Sequence, residues 1–265
     1  MQKKALITMG SGPMASVLKR SYPTFSAYAK RHGYDLIVAR ENRTGRPASW
    51  AKVPALLQAL GEREYAFWID ADAIVMDDSL DVATVLPADS YQGLVCHEFT
   101  NPRRELPNTG VWLLRSDARS VGFLNTVWNS REFIHHDWWE NAAVLRHLGY
   151  PVSEIDRRVT TEWQAGTFWL SQEWNRITRQ GRRRPVRILH YAGVPNSMRV
   201  LGMSGDLHER GLSDSYGAER LGHVAALSGW RLAFSTANIL HFSLEGSAFL
   251  ARRARRVTLG RHGHE

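Results

Sequence analysis

Cysteine is almost missing from this 265-residue chain. Cys96 stands alone, so no intrachain disulfide can form. A lone thiol fits a reducing compartment, and stability has to come from a packed core. Long apolar runs are missing too. The opening MQKKALITMGSG carries two lysines and then an apolar stretch of about five residues, short of the roughly 7–15 that a secretory signal needs. Nothing approaches the roughly 18 apolar residues of a membrane span. Internal repeats and low-complexity tracts are also lacking. These absences lead to the expectation of a cytoplasmic protein, with membrane contact limited to the surface.

What is present is apolar, tryptophan-rich and basic. A hydrophobic content of 43% supports a sizeable core, and the length suits one α/β domain with an appendage. Ten tryptophans exceed what a core needs, and indole faces also stack on sugar rings and bases. The formal charge of +8 and pI near 9.9 favour anionic partners. Much of the excess sits in RQGRRRPVR (residues 179–187) and ARRARRVTLGR (residues 251–261). The second run reads first as a solvated tail and then as a site of peripheral membrane contact.

Short apolar runs alternate with helical periodicity. KALITM reads as a strand and ASVLKRSYPTFSAYAKRHG as a helix interrupted at Pro23 and stopped by Gly33. YDLIVA is a second strand, and SWAKVPALLQALG a short helix with Ser49 as its candidate cap. YAFWID is a third strand, apolar throughout, as strands covered on both faces are. GLVCHE, TGVWLLR and VRILHY complete the strands; ARSVGFLNTVWNS and WWENAAVLRHLG are helices. The alternation predicts an α/β protein with a mostly parallel sheet. Residues 1–205 are expected to form the catalytic domain, and residues 206–265 a helical, basic appendage.

Ligands on such sheets bind beyond the carboxyl ends of the strands. Asp70 and Asp72 lie where the third strand ends. Two carboxylates one residue apart suit a hard divalent cation, Mn²⁺ or Mg²⁺, that also touches phosphate oxygens. Asp-x-Asp alone is weak, because acids also cap loops.

Here it has company. SYPTFSAYAKRHGYDLIVAR, SWAKVPALLQAL, YAFWIDADAIVM, PNTGVWLLR, WWENAAVLRHLGY and HYAG follow in that order. The series resembles the GT-A glycosyltransferases of the galactosyl, mannosyl and xylosyl transferase group, over about Lys4 to Gly193. The resemblance implies a nucleotide-sugar donor (UDP- or GDP-sugar), Mn²⁺ (or Mg²⁺), a carbohydrate or natural-product acceptor, and retention of anomeric configuration. It implies no nucleic acid partner. Asp70 and Asp72 match the metal motif, with Ala71 between them on the donor side, and His190 matches a late histidine that completes the metal site. Asn108, Thr109 and Gly110 match a donor-sugar motif; read alone they are a turn before a strand. Thr8, Met9 and Gly10 become candidates for the base and ribose. Lys52 and Arg199 become candidates for the diphosphate, although a lysine there reads equally as a solvated helix residue. Glu140 and Asn141 stand where the family has Asp-Gln, so the carboxylate–amide pairing survives with chain lengths exchanged. Glu140 would stabilise or attack the anomeric carbon; alternatively the leaving phosphate takes the acceptor proton. Trp138 and Trp139 would offer an acceptor platform, one of them belonging to the core. The preceding HHD, residues 135–137, has adjacent side chains pointing apart and makes a poor metal triplet.

Three rivals have less support. A haloacid-dehalogenase-like phosphatase also uses Asp-x-Asp, but on its first strand. A basic module binding acidic polymer or membrane explains the arginine tail only. A sugar nucleotidyltransferase needs a glycine-rich triphosphate loop that GSGPMASVLKR matches poorly.

Overall fold

The computed structural model describes residues 3–40, 45–100, 103–153, 155–178, 185–209 and 211. The unit that carries the fold is Met1–Met203. The appendage expected at 206–265 lies, from residue 212 onward, outside the described residues, and so does the arginine tail.

β1 (Lys4–Thr8), α1 (Met14–His32) and β2 (Tyr34–Val38) open the chain. α2 (Lys52–Leu60) leads into β3 (Tyr65–Ile69), and a tight turn leads on to β4 (Ala73–Val75). A long hairpin follows, β5 (Gln92–Thr100) and β6 (Arg103–Arg115). Then come α3 (Ala118–Asn129), α4 (Trp139–His147), β7 (Thr167–Trp169), β8 (Arg176–Ile177), β9 (Ile188–His190) and α5 (Asn196–Glu209). The main sheet has the order β2-β1-β3-β6-β5-β7, and a small sheet has the order β4-β9-β8. β1 pairs in parallel with β2 and β3, whereas β6 runs antiparallel to both β3 and β5. β6 is thus the one reversed strand in an otherwise parallel main sheet.

Both faces of that sheet are covered, which is why every residue of β3 is buried. One face gives Ala66, Trp68, Trp112 and Leu114 to a core shared with α2, α3 and α4. The other gives Phe67, Ile69, Val111 and Leu113 to a core shared with α1 and β4. Alternation along β3 and β6 therefore feeds two cores at once. Each large side chain such as Phe67, fully buried, contributes about 1.5–3 kcal/mol.

Three local expectations change. Pro23 does not break α1, which runs through it to a left-handed Gly33 (φ 71°) whose N–H reaches the Ala29 carbonyl. The N–H absent at Pro23 is the one that would have bonded the Lys19 carbonyl, on an exposed stretch of α1. Ser49 is not a cap; it lies inside a 3₁₀ turn, Ala48–Ala51, that runs into α2, and its side chain makes no capping bond. Asn108-Thr109-Gly110 is no turn but the interior of β6. There the register with β5 jumps, from Leu94 opposite Trp112 to Val95 opposite Asn108, so the motif is the bulge itself.

Candidate functional site

The chain reverses at Asp70–Ala73, where Ala73 N–H bonds the Asp70 carbonyl at 3.0 Å. This turn sits on the carboxyl edge of the main sheet, beside the end of β1. α1 grips it from below. The Ser21 hydroxyl donates to the Ala71 carbonyl at 2.7 Å, and Val75 N–H donates to the Thr24 hydroxyl at 3.2 Å. β9 then pairs antiparallel with β4, placing His190 opposite Ala73, and Tyr191 N–H closes onto the Asp72 carbonyl at 2.9 Å. The small sheet is thus the device that brings a residue from late in the chain to the acidic turn.

Asp70, Asp72 and His190 each offer one ligand atom, and these atoms lie within 4.8 Å of one another. The His190 Nε2 is 3.4 Å from Asp72 Oδ1 and 3.8 Å from Asp70 Oδ2. Its other nitrogen is already committed. Nδ1 lies 2.9 Å from Asn175 Oδ1, and the Asn175 amide donates to Asn108 Oδ1, also at 2.9 Å. Asn108 Oδ1 accepts from Gly110 N–H at 2.9 Å as well. With the amides assigned this way, Nδ1 carries the proton and Nε2 turns its lone pair toward the two carboxylates. Gly110 is required by the same packing. A Cβ there would overlap the His190 ring, lying 2.7 Å from Nδ1 and 2.8 Å from Asn108 Oδ1.

Asp72 is buried between His190 and Arg199. Burial alone would raise its carboxyl; the contacts with the His190 ring and the Arg199 guanidinium outweigh burial and hold it down to about 2. Arg199, in the first turns of α5, sets Nε 3.1 Å from Asp72 Oδ2 and rests Nη1 on Met14 Sδ at 3.2 Å. The sequence pattern gave no sign of α5.

Lys52 is neither solvated nor open toward a ligand. Its side chain is 3% exposed, and Nζ meets Glu140 Oε1 at 2.8 Å, Asp70 Oδ1 at 3.1 Å and the Thr109 carbonyl at 3.1 Å. The Thr109 hydroxyl lies 3.2 Å away as well, so three protons are shared among four acceptors and the ammonium ties the acidic turn to α4 and β6. Burial alone would lower its pKa, but Asp70 and Glu140 reverse that and raise it. Trp68 adds a second grip, its indole N–H donating to Asp70 Oδ1 at 2.5 Å. Glu140 is buried in the first turn of α4, and its Oε2 has no hydrogen-bond partner. Asn141 is occupied differently: its Oδ1 accepts from Thr109 N–H at 2.9 Å, and its amide donates to the Pro107 carbonyl at 3.3 Å. It clamps the bulge of β6.

The two neighbouring indoles differ in burial. Trp138 packs on the core, with Arg104 5.8 Å above its ring. Trp139 is 46% exposed and is the one non-glycine at positive φ (46°) among the described residues. Backbone strain of this kind concentrates at working sites. His136 Nδ1 accepts from Trp138 N–H at 3.1 Å, a turn contact. Thr8, Met9 and Gly10 lie at the end of β1 on the same sheet edge. The Thr8 hydroxyl is buried without a partner, and a Cβ at Gly10 would stand 2.7 Å from Leu18 Cβ, so only glycine lets the loop lie against α1. Asn175 escaped the sequence reading, since nothing in SQEWNRI marks it.

Residues 7–109 match the model of the galactosyl transferase GMA12/MNN10 family. Glycosyltransferase 6 of Arabidopsis thaliana is 27% identical over 141 residues, 50% of this chain and 32% of that protein. An uncharacterized alpha-1,2-galactosyltransferase of Schizosaccharomyces pombe is 21% identical over 186 residues, 56% of this chain and 49% of that protein. The chain thus spans half or less of these relatives. A glycosyltransferase involved in glycosylation of the major capsid of PBCV-1 superposes with TM-score 0.55 at 13% identity, over 76% of this chain and 98% of its own. The galactosyltransferase LgtC, crystallised with donor and acceptor sugar analogs, superposes with TM-score 0.53 at 11% identity, over 83% and 99%. Over residues 7–109 the chain is thus similar to the galactosyl transferase GMA12/MNN10 family, and it shares the GT-A fold of the two glycosyltransferase structures.

Proposed function

We propose that the chain transfers a sugar from a nucleoside-diphosphate donor, UDP- or GDP-linked, to an acceptor hydroxyl, in a divalent-metal-dependent reaction that retains anomeric configuration. The observation that carries this reading is the convergence of Asp70, Asp72 and His190 at the carboxyl edge of the sheet, with Nε2 turned toward both carboxylates. Two carboxylates and one neutral imidazole fit Mn²⁺ well, and Mg²⁺ less well. A cation held there would neutralise charge on the departing phosphate.

The remaining roles belong to the chain's own groups. Lys52 pairs with Glu140 and fixes Oε1, which leaves Oε2 to face positive charge developing at the anomeric carbon. Asn108 spends its oxygen on Gly110 and Asn175, so its amide protons are what it offers a sugar hydroxyl. Asn141 keeps the bulge in place. Thr8, Met9 and Gly10 border the base and ribose, Ala71 shapes the turn under the donor, and Trp139 offers an exposed face to a sugar acceptor. Trapping of a glycosyl group on Glu140 would make it the nucleophile; its absence under single-turnover conditions would favour proton transfer to the leaving phosphate. The phosphatase reading loses its footing, since the acidic pair follows the third strand of a GT-A fold.

Thermal unfolding with UDP and GDP, with and without Mn²⁺, tests the proposal. A ligand that binds only the native state raises its melting temperature. Stabilisation by one nucleoside diphosphate that needs Mn²⁺, and that disappears in Asp72→Asn, is expected. Indifference to every nucleotide, or full turnover by Asp72→Asn, would remove the basis for the assignment.

A further inference from the structure

Asp72 divides its two oxygens: Oδ1 faces His190 Nε2 at 3.4 Å and Oδ2 faces Arg199 Nε at 3.1 Å. We infer that Arg199 is a resident cation that competes with the metal for Asp72 and is released to the donor's diphosphate, so that metal and nucleotide bind as a coupled pair. The inference rests on the reading of Asp70, Asp72 and His190 as metal ligands.

The physical case starts from charge. Asp70 and Asp72 bring two negative charges to one turn. Lys52 is shared between Asp70 and Glu140, so its charge is already balanced by Glu140. Arg199 therefore supplies the counter-charge that Asp72 needs in a buried position, where an unbalanced carboxylate is costly. A dication among the three ligands would supply that charge in excess. Arg199 would then be a like charge in contact with the ligand set, and metal binding alone has to work against it. A diphosphate changes the sign of the balance. Its oxygens accept from a guanidinium fork more favourably than one carboxylate oxygen does.

The tether is built for such an exchange. Apart from Asp72, the hydrogen-bond partners of the guanidinium among the described residues are a thioether, Met14 Sδ at 3.2 Å, and Asn196 Oδ1 at a long 3.3 Å. Both are weak acceptors for a charged donor compared with phosphate. Asp81 shows the contrast. It is held by Lys4, Tyr34 and the backbone N–H of Ala83 together, a set with no spare capacity.

The consequence is a pair of opposite effects from one substitution. Removing the guanidinium should help the metal and hurt the nucleotide. Arg199→Met keeps an apolar stem beside Met14, and Arg199→Lys keeps the charge without the fork. Mn²⁺ affinity, read by electron paramagnetic resonance on the full chain without nucleotide, should tighten about fivefold in Arg199→Met, the lower end of ordinary coupling between sites. UDP and GDP affinity at saturating Mn²⁺, read by calorimetry, should weaken about tenfold or more for whichever nucleotide the wild type binds. Arg199→Lys should lie between wild type and Arg199→Met on both scales. Circular dichroism of the metal-free variants checks that the fold persists. Unchanged or weaker Mn²⁺ binding by a folded Arg199→Met, with wild-type Mn²⁺ binding still abolished by Asp72→Asn, overturns the exchange and leaves the metal site standing. Failure of the wild type to bind Mn²⁺ overturns both.

Discussion

His190 Nδ1 and Asn175 Oδ1 lie 2.9 Å apart, and through that contact the bulge of β6 decides which nitrogen of His190 is free. Asn175→Ala removes the acceptor and also one of the two donors to Asn108 Oδ1. Partners of this kind are worth about 10–100-fold in metal affinity. A Mn²⁺ titration should show that loss for Asn175→Ala and a smaller one for Asn175→Asp, which still accepts from Nδ1. Equal affinity across the three proteins would separate Asn175 from the site.

Gly110→Ala places a methyl group where the His190 ring stands. Overpacking of this sort costs about 1–3 kcal/mol. Urea unfolding should register that loss, and Mn²⁺ binding should fall with it because the imidazole is pushed off line. A variant as stable as the parent with intact binding would mean that the ring moves freely.

Lys52→Met leaves Glu140 and the neighbouring Asp70 without their shared cation. Removing one partner of a buried pair costs about 3–5 kcal/mol, whereas removing both often costs little. The double variant Lys52→Met, Glu140→Gln should therefore be more stable to urea than Lys52→Met alone. The pH dependence follows the raised pKa of Lys52. Its stabilising share is complete below the unfolded value near 10.5 and is lost as pH rises through the higher folded value. The parent should thus show a steeper alkaline decline than the double variant.

Asp72 sets the opposite limb. Its folded pKa of about 2 lies below the ordinary 3.8, so its contribution is present above 3.8 and is lost as pH falls through the folded value. Unfolding measured from pH 5 downward should be steeper for the parent than for Asp72→Asn. Identical acid limbs would show that the carboxylate is not so held.

Trp139→Gly tests the strained indole. Glycine accepts φ 46° freely, and relief of about 1 kcal/mol should offset part of the lost ring contacts. Stability should change little, while the acceptor KM rises and nucleotide affinity stays put. An unchanged KM would take Trp139 out of the acceptor region.

Much of this architecture was legible in the sequence because periodicity reports burial directly. The all-apolar YAFWI marks a strand covered on both faces, and its end locates the acidic turn. The convergence of His190 with that turn was readable only as a resemblance, since it depends on the β4–β9 pairing of two three-residue strands. Lys52 and Asn108-Thr109-Gly110 misled for one reason. Local chemistry describes a solvated lysine and a turn, while tertiary contacts make the first a buried cross-link and the second a bulge. Asn175 left no local trace at all, because its value lies wholly in what it reaches.

Ser21 and Thr24 of α1 hold the carbonyl of Ala71 and the amide of Val75, so the acidic turn is anchored to the first helix before any ligand arrives. His190 is delivered from far along the chain. Whatever ion the three residues seize would stitch early and late sequence together across nearly the whole fold. In a protein whose single cysteine can make no internal bridge, that reversible clasp would lengthen the lifetime of the native state against proteases, and chelators would shorten it.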